Sequence, residues 1–184
     1  MKTDHEWLTK WEPYLKHKNV LELGCGPGLD TQILSDFAHS VMACDLTDNE
    51  NKLTNVTTMA LDHSKPMPFN DNEFNVVVAS LCLHYFKWQT TQNILQEVSR
   101  VLPINGTLIC RVNSQEDIHH GAQGYPEIEQ GLYNVNGHSK RFFSLSDLTE
   151  LFNKQWKVIE VEHKVIDRYE LPKSIWELAA INLK

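Results

Sequence analysis

The chain has 184 residues, room for one domain around one core, and its 41% hydrophobic and 22% charged side chains are an ordinary globular balance. A formal net charge of −7 argues against broad electrostatic binding of nucleic acid, and no apolar run approaches the length of a membrane span. The opening residues, MKTDHEWLTKW, carry charges where a secretory leader needs an apolar stretch, so a cytoplasmic protein is expected.

Taken in chain order, TDHE at 3–6 fits a capping box, with Thr3 as N-cap and Glu6 reaching back. Trp7, Leu8, Trp11 and Leu15 follow at near-helical spacing, giving an N-terminal helix within 1–18 that Pro13 ends or kinks. A strand is expected over Asn19–Leu23, then a turn with Gly24, Gly26 and Gly28. Leu29, Ile33, Leu34 and Phe37 next mark one face of a helix. SVMACD reads as the second strand, ending at Asp45; residues 48–53 suit a short helix and NVTTMAL a third strand.

FNVVVAS is a fourth strand, apolar enough to be covered on both faces. Ile94, Leu95, Val98, Val101 and Leu102 mark an amphipathic helix that stops at Pro103, with Asn105-Gly106 as the turn into strand five, TLICRVN. Residues 114–143 read as polar and irregular, with four glycines. So long an excursion in a compact domain suggests a lid or binding loop. SLSD caps a helix over 146–153, and WKVIEVEHKVI and SIWELAAINL read as two final strands; the second suits a helix by composition, and strand is preferred on context.

Strands alternating with helices predict a single α/β domain over 1–184. Its sheet is Rossmann-like, doubly wound, seven-stranded and mostly parallel, and the last two strands form an antiparallel hairpin at one edge. Cys25, Cys44, Cys82 and Cys110 lie in or beside apolar runs without CxxC spacing, which favours buried reduced thiols. No metal is expected, since neither HExxH nor paired Cys/His spacing occurs.

In such a sheet, ligands bind beyond the carboxyl ends of the strands at the topological switch point, where the glycine turn falls. A dinucleotide site wants G-x-G-x-x-G, but here Glu22-x-Gly24-x-Gly26-x-Gly28 is followed by Leu29. Asp45, at the tip of strand two, suits a ribose diol, and Asp62, after strand three, is placed to read an adenine amino group. So many acids fit a cationic ligand better than a pyrophosphate.

The segment VLELGCGPG resembles the first motif of the class I S-adenosylmethionine-dependent methyltransferases, of the small-molecule, type 11-like kind. The match continues through VMACD, LDHSKPMPFNDNEFNVVVASLCLHYF and QEVSRVLPINGTLIC, covering roughly residues 18–112. The resemblance implies S-adenosylmethionine as cofactor. It places Glu22, Gly24, Cys25, Gly26 and Gly28 around the methionine portion and ribose, and Asp45 and Leu46 at the ribose hydroxyls and adenine. It sets Asp62 and His63 against adenine, and Ser80 and Leu81 beside the methionine portion. Asp30 matches a polar position after the motif, or serves only the helix dipole.

LCLHYF at 81–86 lies at the tip of strand four, where an acceptor would enter. Two roles stand open for His84, taking a proton from a hydroxyl or amine acceptor or packing under the adjoining helix. Tyr85 contacts the acceptor or buries its ring. The PPY-type signature of amino-group methylation on nucleic acid or protein is absent, since SLCLHY stands there. With the negative charge, this points to a small-molecule acceptor, no nucleic acid and no membrane, in a monomer or homodimer. A non-catalytic S-adenosylmethionine-binding regulatory domain and an NAD-dependent oxidoreductase are the competing readings.

Overall fold

The computed structural model describes residues 4–167 and 169–184. The expected capping box therefore lies partly outside the described residues, at Thr3. A 3₁₀ helix over Asp4–Trp11 runs into a single α turn, α1 (Glu12–Leu15), with Pro13 in its first turn, where the missing amide proton costs nothing. Then come β1 (Asn19–Leu23), α2 (Leu29–Phe37), β2 (Ser40–Asp45), β3 (Val56–Ala60), β4 (Val76–Ser80), α3 (Trp88–Val101) and β5 (Thr107–Asn113). After them lie β6 (Glu127–Glu129), β7 (Leu132–Val135), β8 (His138–Arg141), α4 (Leu145–Leu151), β9 (Trp156–Ile166) and β10 (Lys173–Asn182).

Seven strands form one sheet in the order β3-β2-β1-β4-β5-β10-β9. The first five are parallel, while β10 runs antiparallel to both β5 and β9, as the predicted edge hairpin requires. Alternation along the central strands feeds two separate cores. Leu21, Val77, Ala79, Leu108 and Cys110 point to one face, packed with Ile94, Val98 and Leu102 of the α3 region. Val20, Val76, Val78 and Ile109 point to the other, packed with Trp7, Leu8, Trp11 and Leu34. β4 is thus covered on both faces, and all four cysteines are free and buried. The outer strand β9 alternates charged residues, and Lys10 pairs there with Glu160 and Glu162, which blunts an otherwise open edge.

Three sequence expectations are corrected. Residues 48–53 form no helix. Their polar side chains satisfy backbone instead: the Asn51 carboxamide accepts from the Leu53 amide, and the Asn49 Nδ2 donates to the Gly26 carbonyl. On α2, Leu29 is exposed, and the buried first turn is made by Asp30 and Thr31, because polar partners await them inside. Residues 114–143 are not irregular. They contain an antiparallel meander, β6-β7-β8, whose β7–β8 turn is Asn136-Gly137 with φ of 53° and 85°. Both residues adopt the left-handed region that a two-residue hairpin demands, so the Asn-Gly pair was a legible hairpin signal. The final helix begins one residue earlier than expected, capped by Ser144 and Asp147 in a reciprocal box.

Candidate functional site

The chain runs from β1 outward to β3, then returns to β4 on the other side of β1. The switch point therefore lies between β1 and β4. Parallel strands bring all their carboxyl ends to one side. The turn after β1, the tip of β2, the residues after β3 and the tip of β4 surround one cavity there, of about 480 Å³. That lies within the roughly 300–1,000 Å³ of small-molecule sites.

Seven of the sequence-derived site residues line the cavity: Gly24, Asp45, Leu46, Asp62, His63, Leu81 and Tyr85. Ser64, Cys82 and Phe86 complete the wall and were not singled out from sequence. Cys82 and Phe86 belong to the LCLHYF stretch, and Ser64 is tied to its neighbour, donating its amide and hydroxyl to the Asp62 carboxylate at 3.1 and 2.6 Å. That bonding holds Asp62 below the usual carboxylate range.

Gly24 has a φ of +69°, and a Cβ there would overlap the Cys82 Cβ. Glycine is therefore required both by conformation and by the close approach of β1's turn to β4's tip. The Cys82 thiol donates to the Leu23 carbonyl at 3.1 Å, and its full burial holds its pKa well above the usual thiol value. The amides of the turn are already engaged. Those of Gly24 and Cys25 donate to the Cys44 carbonyl at 2.8 and 3.0 Å, that of Gly26 to Asp45 Oδ2 at 2.7 Å, and that of Gly28 to the Cys25 carbonyl at 3.0 Å. A pyrophosphate needs such amides free; these are committed within the protein.

Asp45 accepts from Gly26 with one oxygen and from the Leu46 amide with the other, at 2.7 Å each, which fixes the carboxylate plane at the mouth of the cavity. Behind the turn, Glu22 is buried and accepts from the Thr31 hydroxyl at 2.6 Å. Burial, with Asp30 and Asp45 nearby, pushes its carboxyl up to about 8. Asp30 is buried as well and accepts from the Trp7 indole at 3.1 Å, tying the N-terminal 3₁₀ helix to α2. Glu22, Cys25, Gly26, Gly28, Asp30 and Ser80 do not line the cavity. Of these, Glu22, Cys25 and Asp30 are buried, while Gly26 and Gly28 are partly exposed.

His63 is buried, packs edge-on against Phe86 at 5.4 Å, and leaves its Nε2 without a partner among the described residues. Burial lowers its pKa, so it faces the cavity as a neutral imidazole. At the tip of β4, Tyr85 is 45% exposed and forms part of the wall. His84 is 3% exposed, lies outside the cavity and packs against the Tyr85 ring, centroids 4.3 Å apart and planes tilted by 45°. Burial, with Lys173 and Lys140 nearby, pushes it down to about 3.

Residues 21–110 match the family model described as a methyltransferase domain. Among solved structures, a SAM-dependent methyltransferase from Methanosarcina mazei is 18% identical, with 95% of this chain and 97% of that chain covered at a TM-score of 0.77. The 1,6-didemethyltoxoflavin-N1-methyltransferase of Burkholderia thailandensis, with bound 1,6-didemethyltoxoflavin and S-adenosylhomocysteine, is also 18% identical, covering 99% and 80% at 0.75. The N-methyltransferase NodS from Bradyrhizobium japonicum is 13% identical, covering 98% and 94% at 0.70. At these identities the likeness is one of fold. No curated protein matches the chain closely enough to count as a relative.

Proposed function

We propose that this chain, which belongs through residues 21–110 to the class I S-adenosylmethionine-dependent methyltransferases, transfers a methyl group from that cofactor directly to a small-molecule acceptor. The observation that carries the reading is the cavity at the β1/β4 switch point. Asp45, Asp62 and His63 line it, and its glycine turn has no free amides left for a phosphate.

The residues fit the cofactor. Asp45, held in plane by two amides, keeps lone pairs for the ribose hydroxyls, and Leu46 flanks the adenine. The unpartnered His63 Nε2 and the Asp62 carboxylate suit the purine edge. Gly24 and Leu81 shape the wall beside the methionine portion, with Cys25, Gly26, Gly28 and Ser80 supporting them. Glu22 and Asp30 stand behind as acidic groups within the fold.

When bound, S-adenosylmethionine supplies a methyl carbon already made electrophilic by its sulfonium. What the protein adds is alignment of an acceptor lone pair with the S–CH3 bond and exclusion of water. Tyr85, at the open side of the cavity, is placed to contact the acceptor. Its phenol, raised in pKa by burial, stays protonated at neutral pH and so keeps a proton to donate. His84 backs that ring from the interior, which supports packing over proton transfer for this residue.

A small acceptor is supported by the net charge of −7 and by the limited cavity. Four free, buried thiols accord with a reducing compartment, which supports a cytoplasmic location. No helix among the described residues is long and apolar enough to cross a membrane. Calorimetry tests the cofactor: S-adenosylhomocysteine should bind and NAD should not, and the reverse result overturns the reading. An acceptor screen with isotope-labelled S-adenosylmethionine, read by mass spectrometry, then tests transfer.

A further inference from the structure

Beyond Tyr85, away from the glycine turn, lies a set of groups that the cofactor reading does not use. Lys173, at the start of β10, is 8% exposed, and among the described residues it makes no hydrogen bond and no ion pair within 4 Å. Its ammonium sits 5.4 Å from the Tyr169 ring centroid. Tyr169 in turn packs against His120 at 5.4 Å, while His120 is held by the Leu171 carbonyl at 3.1 Å. Lys140 of β8 is half-buried, and no ion pair is formed by it among the described residues. Both lysines act electrostatically on His84, whose ring packs tilted against Tyr85 at 4.3 Å, and Tyr169 acts on Tyr85 itself.

Burying an ammonium without a counter-ion is costly, and burial does lower the pKa of Lys173. The one carboxylate acting on it is Asp117, also buried, which is too far for an ion pair and already accepts from the amides of His119 and His120 with its Oδ1. Lys173 and Lys140 thus share one nearby buried carboxylate, Asp117, which pairs with neither, beside the half-exposed rings of Tyr85 and Tyr169; Asp45 acts on Tyr85 from the cofactor side. The meander, the β9–β10 turn and the β5 exit loop converge to build this arrangement. Those are three segments that the cofactor site does not need.

We propose that the methyl acceptor is a ring compound carrying an anionic oxygen group, a carboxylate or a phosphate, bound by Lys173 and Lys140 with its ring beside Tyr85 and Tyr169. An anion there supplies the missing counter-charge, and a poorly hydrated site strengthens that pairing. The rings supply flat apolar area at low entropic cost. This rests on the methyltransferase reading, because Tyr85 is the link between the two parts of the site.

The test uses the full chain loaded with S-adenosylhomocysteine, titrated calorimetrically with benzoate, phenyl phosphate and the neutral isostere benzamide. At least one of the two anions should bind tenfold or more tightly than benzamide. Lys140→Gln should reduce that preference at least threefold, Lys173→Gln further, and Lys173→Arg should retain most of it. S-adenosylhomocysteine affinity should be unchanged in all three, which verifies the fold; should Lys173→Gln not fold, the half-buried Lys140 carries the comparison. Which anion binds better separates a carboxylate from a phosphate acceptor. Equal binding of benzamide and both anions, binding of neither anion, or a preference that survives in the folded lysine variants would overturn the proposal. Failure of the wild-type chain to bind S-adenosylhomocysteine would overturn the cofactor reading and this inference with it.

Discussion

Replacing Glu22 with glutamine should stabilise the protein, increasingly so as pH rises. Glu22 is 3% exposed, and its carboxyl is shifted from 4.5 to about 8, chiefly by burial and then, in the raising sense, by Asp30 and Asp45. The folded state therefore holds this proton more tightly than the unfolded chain. The contribution to stability is fully present below 4.5 and is lost as pH climbs towards 8. At about 1.4 kcal/mol per pH unit, the span between those two values gives a ceiling of about 5 kcal/mol, of which about 3 kcal/mol is already lost at pH 7. Glutamine has the same shape, keeps an oxygen to accept from the Thr31 hydroxyl at 2.6 Å, and has no charge to desolvate. In urea denaturation at pH 5, 7 and 9, the variant should lead by under about 1 kcal/mol at pH 5. At pH 7 the variant should lead by about 3 kcal/mol, and at pH 9 by somewhat more. Parallel pH dependences, or a variant less stable than wild type at pH 9, would refute the reasoning.

Asp45→Ala should weaken S-adenosylhomocysteine binding at least tenfold by calorimetry, since each charge-assisted bond is worth about 1.5–3 kcal/mol; unchanged affinity in the folded variant counts against Asp45 as the ribose ligand. Gly24→Ala should lose at least about 2 kcal/mol of stability, from the left-handed φ and the overlap with Cys82, and a wild-type denaturation midpoint would contradict this. His84, pushed down to about 3, should show ring resonances flat between pH 5 and 8 by NMR; a titration near 6.5 would sink its assignment as a buried neutral group. In hydrogen exchange, residues 132–135 and 138–141 should be protected in the free protein, and the loop over 115–125 should gain protection with S-adenosylhomocysteine and acceptor bound. Equal, rapid exchange across 114–143 in the free state would remove the anchored meander.

Much of this protein was legible without coordinates because its signals are local. Periodicity placed β1, β2 and β5 at their observed bounds. The hydrophobic stripe of α3 and the stop at Pro103 needed only 3.6-residue spacing and one missing amide. The cavity's composition was half legible for a topological reason. Once the strands are read as parallel, their carboxyl ends share one side, so residues just after β1, β2, β3 and β4 must meet. Seven named residues do line that cavity, and Ser64, Cys82 and Phe86 lie within a residue or two of them.

What the sequence alone determined, then, is the order of elements, the glycine turn that β4 approaches closely, and the acids near it. The tertiary structure alone decided which of those acids face the ligand. Asp45 and Asp62 reach the cavity. Glu22 turns inward to Thr31, and Asp30 turns to the Trp7 indole twenty-three residues earlier. The same holds for His84, sealed behind Tyr85, and for the lysines of β8 and β10 brought to it from 56 and 89 residues away in the chain. A side chain's protonation and reach depend on desolvation and on partners distant in sequence. Those long-range contacts exist only after the sheet has assembled, so no periodicity in the chain encodes them.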